Sequence, residues 1–263
     1  MTPELAQKTA VIFAISSGGV IYTRKFYEQI VTQGANAASP LLFPETVYNA
    51  PASHLAALLG IDGMSYTLVG DQSVGIAALK LAEQILATTD VQHCVIIGAE
   101  EVDWVLCEAY RDWRLVARQP HIEIGSNCGT LLAEGAAALV LGRDGKTELR
   151  KIHAGISFFN RTQTNETIAR VHRELDDDVD FIVRSANGTF IDEVERAAIA
   201  VTRPNANTLA PKQNLGDALG ASALVQTIFG ALVLEKNDAD GALVSVLGFN
   251  QQASGAILKK LSS

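Results

Sequence analysis

Apolar and polar residues alternate along this chain in two rhythms. Near-continuous apolar runs such as Val95-Ile96-Ile97 and Phe181-Ile182-Val183 suit buried strands, and apolar positions three and four residues apart suit helices. In the second half this pattern predicts a strand over 149–158, a helix over 163–175, a strand over 179–184, a helix over 192–201 and a short strand near Thr208. A helix over 216–234 and a closing hairpin of 243–248 with 256–261 complete the series. The first half predicts a strand over 9–15, helices over 25–32 and 53–59, a strand over 66–69, a helix over 73–88, and strands over 94–98 and 136–141. The second half therefore reads βαβαβαββ, and the first is the same series short by its opening βα unit. Gly142-Arg-Asp-Gly145 is a turn signal and the expected seam between halves 1–145 and 146–263 of a single domain.

Strands alternating with helices imply an α/β fold with a mostly parallel sheet covered on both faces. Helix 73–88 carries Ile76, Leu79 and Leu86 on one stripe and Ala78, Leu81 and Ile85 on another. Only Lys80, Glu83 and Gln84 form a polar strip, so the helix should be largely buried. Gly70, Ser73 and Gly75 fit a tight turn ahead of it that lets backbone approach its neighbours.

With 263 residues, 48% of them hydrophobic, the chain can bury a substantial core, which excludes a disordered or collagen-like class. A net charge of −8 and a pI near 5.1 disfavour nucleic acid as a partner. The first residues lack the basic and apolar stretches of a signal peptide, and no later segment spans a membrane without Gly or charge, so a cytoplasmic protein is expected. Cys94, Cys107 and Cys128 are odd in number and lack C-x-x-C spacing, which disfavours disulfides and zinc. No metal or cofactor is expected: His54, His93, His121, His153 and His172 are scattered, and the acidic run Glu174, Asp176, Asp177, Asp178 and Asp180 matches no metal-binding loop.

Residues 65–79, Ser-Tyr-Thr-Leu-Val-Gly-Asp-Gln-Ser-Val-Gly-Ile-Ala-Ala-Leu, resemble the strand, sharp turn and buried helix on which a β-ketoacyl synthase carries its cysteine nucleophile. Gln72 stands at the cysteine position. The segment 184–195, Arg-Ser-Ala-Asn-Gly-Thr-Phe-Ile-Asp-Glu-Val-Glu, resembles the family's His-Gly-Thr segment with Asn187 at the histidine. The segment 212–223, Lys-Gln-Asn-Leu-Gly-Asp-Ala-Leu-Gly-Ala-Ser-Ala, resembles its Lys, Gly-His, Gly-Ala segment with Lys212 kept and Asp217 at the second histidine. Ser39-Pro40, Phe43-Pro44-Glu45-Thr46-Val47, Asn49-Ala50, residues 134–141 and Gly248-Phe249 resemble further family landmarks in order, so the likeness covers nearly the whole chain.

The resemblance implies a thiolase-like fold of two related halves, the first lacking its opening unit. A primary amide neither ionises to a nucleophile nor carries an acyl thioester, and a cysteine-to-glutamine exchange is what the chain length factor of type II polyketide and aryl polyene systems shows. The expectation is a non-catalytic subunit that pairs with a full-length β-ketoacyl synthase, shapes its acyl tunnel and meets the acyl carrier protein indirectly. The alternatives are a glutamine-type malonyl-carrier-protein decarboxylase and a homodimeric acyl-binding scaffold.

Asn187 could still donate a hydrogen bond to an oxyanion. Asp217, if ionised, would repel a malonyl carboxylate, and Lys212 is a candidate partner for it. The strand Tyr66, Thr67, Leu68, Val69 resembles the one that pairs across the family's dimer axis, and Trp104, Tyr110 and Trp113, in an exposed-looking apolar segment, are candidate interface residues with core packing as the alternative. Cys128 is a remote candidate for a substitute nucleophile, with no histidine base at a family position. Phe249 is expected to be core rather than gate, since Asn250 and Gln251 follow it in place of glycines.

Overall fold

The computed structural model describes residues 2–118, 120–236, 239–249 and 252–261. A short helix α1 (Pro3–Gln7), with Pro3 in its first turn and the Thr2 hydroxyl accepting from Leu5 N at 3.3 Å, leads into β1 (Thr9–Ile15). There follow α2 (Val20–Gln33), α3 (Ala50–Leu59), β2 (Ser65–Val69), α4 (Val74–Thr88), β3 (His93–Glu100), α5 (Trp104–Asp112) and β4 (Gly135–Gly142). The second half holds β5 (Thr147–Ser157), α6 (Thr164–Glu174), β6 (Phe181–Val183), α7 (Ile191–Thr202), β7 (Asn207–Leu209), α8 (Lys212–Leu215), α9 (Ser222–Lys236), β8 (Gly241–Leu247) and β9 (Gln252–Lys260).

The strands form two sheets with orders β2-β1-β3-β4 and β5-β9-β8-β6-β7. In the first, β1 pairs parallel with β2 and β3, and β3 pairs antiparallel with β4. In the second, β6 pairs parallel with β7 and β8, β8 antiparallel with β9, and β9 antiparallel with β5. Sheet one thus repeats sheet two strand for strand except for the counterpart of β5. This is the thiolase-like plan of two related halves, and among the described residues sheet one has no strand matching β5.

The two sheets enclose α4 and α9. Their shared core takes Ile12 of β1, Ile96 of β3, Ile76 and Leu79 of α4, Leu224 and Leu234 of α9, and Val244 and Val246 of β8. Gly75 sets how closely the helices approach, because a Cβ there would lie 2.9 Å from the Ala223 Cβ and 3.2 Å from the Leu224 N. On the outer face of sheet one, Ala52 of α3 packs on Val11, Phe13 and Ile97. Outside sheet two, Ile168 and Val171 of α6 and Ile191 of α7 pack on Ile182, Leu243 and Ile257.

The helix expected over 216–234 is interrupted. Gly216 takes φ +77° and Leu219 φ +44°, and the Asp217 carboxylate accepts from Leu219 N at 3.0 Å, so α8 ends before the turn and α9 starts at Ser222. Helix α5 was not expected as an element; the Asp103 carboxylate caps it by accepting from Val105 N at 3.1 Å. The acidic run is committed to cations and amides: Glu174 to Arg170 and His153, Asp177 to Lys259, and Asp180 to the amides of Asp240 and Gly241. Among the described residues one helical stretch, 219–236, is long and apolar enough to cross a membrane, and 56% of it is buried inside the fold.

Gly75→Val should lower stability by about 1–3 kcal/mol, since its Cβ meets backbone and a fixed methyl rather than a movable chain end; denaturant midpoints measure it. His172, buried between Thr202 Oγ1 (3.2 Å) and Ser245 Oγ (3.0 Å), has its pKa pushed down to about 4 by burial and by the Arg203 charge. The unfolded chain therefore binds more protons between the ordinary value of 6.5 and about 4, and stability falls as pH drops through that window, by on the order of 3 kcal/mol. Unfolding titrations from pH 7 to 4.5 should show this slope in the wild type and a shallower one in His172→Asn.

Candidate functional site

Three loops that follow the carboxyl ends of parallel strands converge on one point, the usual place for a site in an open α/β sheet. The turn after β2 brings Gln72 to the start of α4. The loop after β6 brings Asn187, and the segment after β7 brings Lys212 and Asp217. Each loop is fixed locally. Asp71 accepts from Ser73 N at 2.9 Å and packs so tightly on Gly248 that a Cβ there would overlap its carboxylate. The Asp192 carboxylate accepts from Asn187 N (2.7 Å), Gly188 N (3.1 Å) and Gly125 N (2.7 Å), and Glu195 accepts from Ser185 N (2.9 Å) while facing Arg184 at 3.4 Å.

Asp217 lies at the centre. Its Oδ2 accepts from Asn187 Nδ2 at 2.8 Å, Lys212 Nζ at 3.1 Å and Gln72 Nε2 at 3.3 Å, and its Oδ1 accepts from Ser222 Oγ at 2.8 Å and Leu219 N at 3.0 Å. The remaining amide oxygens are also used: Gln72 Oε1 accepts from Phe249 N at 3.2 Å and Asn187 Oδ1 from Thr189 Oγ1 at 2.7 Å. Gln72, Asn187, Lys212 and Asp217 are between 0% and 3% exposed, so the cluster is sealed from solvent.

Burial alone would raise the Asp217 pKa. The Lys212 cation and the hydrogen bonds from Asn187, Ser222 and Lys212 outweigh it and hold the carboxyl below its ordinary range. The point where side-chain donors converge is therefore occupied by the chain's own anion. An incoming anion would have to displace a buried carboxylate already satisfied by five donors.

The four positions 72, 187, 212 and 217, singled out by the family resemblance, are brought together in the structure. Phe249 is half-buried, its N–H tied to Gln72 and its ring 5.9 Å from Tyr110; Asn250 and Gln251 lie outside the described residues. Cys128 stands apart, half-buried in the loop before β4, where it lines a hollow with Arg111, Arg114 and Arg118. The convergence of those arginines was not read from the sequence, where their spacing of three and four residues was the available signal.

The candidate interface residues divide. Strand β2 lies at the edge of sheet one, with Tyr66 and Val69 exposed and Thr67 and Leu68 half-buried, and the Thr67 hydroxyl oxygen is buried with no partner. Trp104 and Trp113 are more than 60% exposed. Tyr110 is a correction: it turns inward from α5, 8% exposed, against Trp113 and Phe249, and burial pushes its hydroxyl pKa up. The helix expected over 25–32 is α2, but the sequence reading did not single out its surface: α2 carries Val20, Ile21, Tyr22, Phe26, Tyr27, Ile30 and Val31 yet has no buried residue. Its helical spacing of apolar positions was the signal.

Asp217→Ala should cost about 3–5 kcal/mol, because it leaves the Lys212 charge buried and unpaired. The double variant Asp217→Asn with Lys212→Met should cost clearly less than the sum of its single variants. Denaturant unfolding of the four proteins of the cycle measures the coupling.

Comparison with known proteins places this geometry. Residues 1–146 match the family of the β-ketoacyl synthase N-terminal domain. The polyketide biosynthesis malonyl-ACP decarboxylase PksF of Bacillus subtilis (strain 168) is 27% identical over 208 residues, 68% of this chain and 50% of that protein. The chain thus spans about half the length of this curated relative. Among solved structures, the AntDE:AntF assembly, a type II polyketide synthase acyl-carrier protein in complex with its ketosynthase, matches with a TM-score of 0.88 at 13% identity. The match covers 99% of this chain and 80% of that one. The ishigamide ketosynthase/chain length factor matches with a TM-score of 0.85 at 19% identity, over 100% of this chain and 78% of that one.

Proposed function

The chain belongs to the β-ketoacyl synthase family, and on that premise we propose that it is a non-catalytic, chain-length-factor-like subunit. It pairs with an active, full-length ketosynthase and helps to shape the tunnel for the growing acyl chain in type II polyketide, aryl polyene or fatty-acid-like synthesis. The observation that carries this reading is the occupied cluster: an amide at the nucleophile position, and a buried carboxylate on the donors that would otherwise stabilise an oxyanion. Neither group can carry an acyl thioester. Claisen condensation would therefore fall to a partner that supplies the cysteine and both imidazoles.

The exposed apolar surface supports such a partner. Strand β2 offers an open edge with Tyr66 and Val69 exposed, and α2 offers Tyr22 and Tyr27. Apolar area of this kind is unfavourable in water and favourable in a contact. An acyl carrier protein, acidic by expectation, would meet a net charge of −8 on this chain and would depend chiefly on basic residues of the ketosynthase.

A second reading, malonyl-carrier decarboxylase, is favoured by the likeness to PksF. Against it stands Asp217, ionised where a malonyl carboxylate and then an enolate would have to sit.

Co-expression with candidate ketosynthases separates these readings. The expected outcome is a one-to-one complex that elongates acyl chains, with this chain alone neither condensing nor decarboxylating malonyl carrier protein, and with Gln72→Cys alone still inactive. Carbon dioxide release from malonyl carrier protein by the isolated chain would support the second reading. A stable homodimer that never exchanges with a ketosynthase would sink the first.

A further inference from the structure

The chain carries a net charge of −8, yet three guanidinium groups line one hollow apart from the Asp217 cluster. Arg111 comes from the last turn of α5, Arg114 from the turn that ends it and Arg118 from the segment beyond. Asn127 and Cys128 of the loop before β4, with the apolar Val116 and Ala117, complete the lining of a space of about 1060 Å³. That volume is at the upper end of those that hold small molecules.

The lining is held by backbone, not by its charged side chains. Leu115 N donates to Tyr110 O at 3.0 Å, Ala117 N to Thr130 O at 2.7 Å and Thr130 N to Leu115 O at 2.7 Å, which clamps the arginine segment to the Cys128 loop. Gly129 permits the close approach: its φ is +106°, and a Cβ there would lie 2.5 Å from Val116 C. Its N–H donates to Gly188 O at 2.9 Å and so anchors the lining to the loop after β6. The guanidinium groups are left available. Arg111 makes an exposed pair with Glu108 at 2.8 Å, of little worth in water. Among the described residues Arg114 and Arg118 have no ion pair and no side-chain hydrogen bond.

We propose that this hollow binds a phosphorylated small molecule. Its phosphate oxygens are shared among Arg111, Arg114 and Arg118, whose planar forks match them, and its less polar part lies against Val116, Ala117 and Cys128. Like charges gathered without a counter-ion repel one another, and a bound anion removes that repulsion. The form of the site favours a compact ligand over an acidic protein surface. The arginines line a concavity, and exposed Glu108, Asp112 and Glu123 on the same segments would repel a broad acidic face while a small anion reaches the guanidinium groups. The proposal does not depend on whether the chain serves a ketosynthase.

The probes are inorganic pyrophosphate, which reads the phosphate contacts alone, and adenosine 5′-diphosphate, which adds an organic part. Each is titrated calorimetrically into the full chain in a buffer free of phosphate and sulfate. The expected result is saturable one-to-one binding, weakened at least about tenfold by Arg114→Gln and by Arg118→Gln, as the loss of a charged hydrogen-bond donor implies. Arg114→Lys, which keeps the charge and loses the fork, should restore part of the affinity. Arg196→Gln, at an exposed arginine on α7, should leave binding unchanged. All these side chains are exposed, so the variants should keep the wild-type urea midpoint. Location is read on the wild type: saturating ligand should slow iodoacetamide alkylation of Cys128 several-fold and leave that of Cys107 unchanged. Absence of saturable binding by both probes would overturn the proposal, as would binding that survives both glutamine substitutions. So would poly-glutamate binding more tightly than pyrophosphate with the same loss in those variants, which would make the hollow a docking place for an acidic polypeptide.

Discussion

A buried carboxylate needs compensation for every lone pair it withdraws from water, and Asp217 obtains it from five donors carried by three separate loops. That requirement organises the region. The turn before α4, the loop after β6 and the break between α8 and α9 must keep register to within a hydrogen bond, or an ion is left unpaired in the interior. Removing one donor destabilises the others, so the cluster behaves as a unit rather than as four separate polar residues.

The same cluster shows how the architecture of the family accommodates an amide at position 72. Gly75 brings α4 against α9, Gly248 admits Asp71, and Asp192 gathers the amides around Asn187. These contacts serve packing, and they hold whether position 72 is a thiol or an amide. With Gln72, Asn187 and Asp217 bonded to one another, a pocket that must remain receptive in an enzyme becomes interior structure. Its donors point inward, while the exposed apolar side chains lie elsewhere, at β2 and along α2.

The two edges of sheet one differ in kind. The β2 edge, with Tyr66 and Val69 exposed beside it, is the face proposed above to meet a ketosynthase. The β4 edge is at the opposite end of the same sheet, next to a half-covered α9 and an orphaned amide oxygen.

Most of the architecture was legible in the residues. The apolar run 9–15 forms β1 as expected, and 181–183 and 95–97 lie within buried strands, because a strand covered on both faces admits few polar side chains. The relation between the two halves was also readable, as one series of elements and a shorter counterpart of it. The identities at 72, 187, 212 and 217 could be assigned from segment likeness, since each loop retains its own glycines and small residues. What the sequence did not determine was how those side chains satisfy one another. That Oδ2 of Asp217 takes three side-chain donors at once depends on loops more than a hundred residues apart meeting at strand ends. Tyr110 and Trp113 show the same limit: both are aromatic residues of one segment, and only the docking of α5 turned the first inward and left the second in water. Local patterning fixes which elements form, because periodicity is a property of neighbouring residues, whereas burial, pairing and vacancy arise between distant elements and are decided only when the sheets and central helices close on each other.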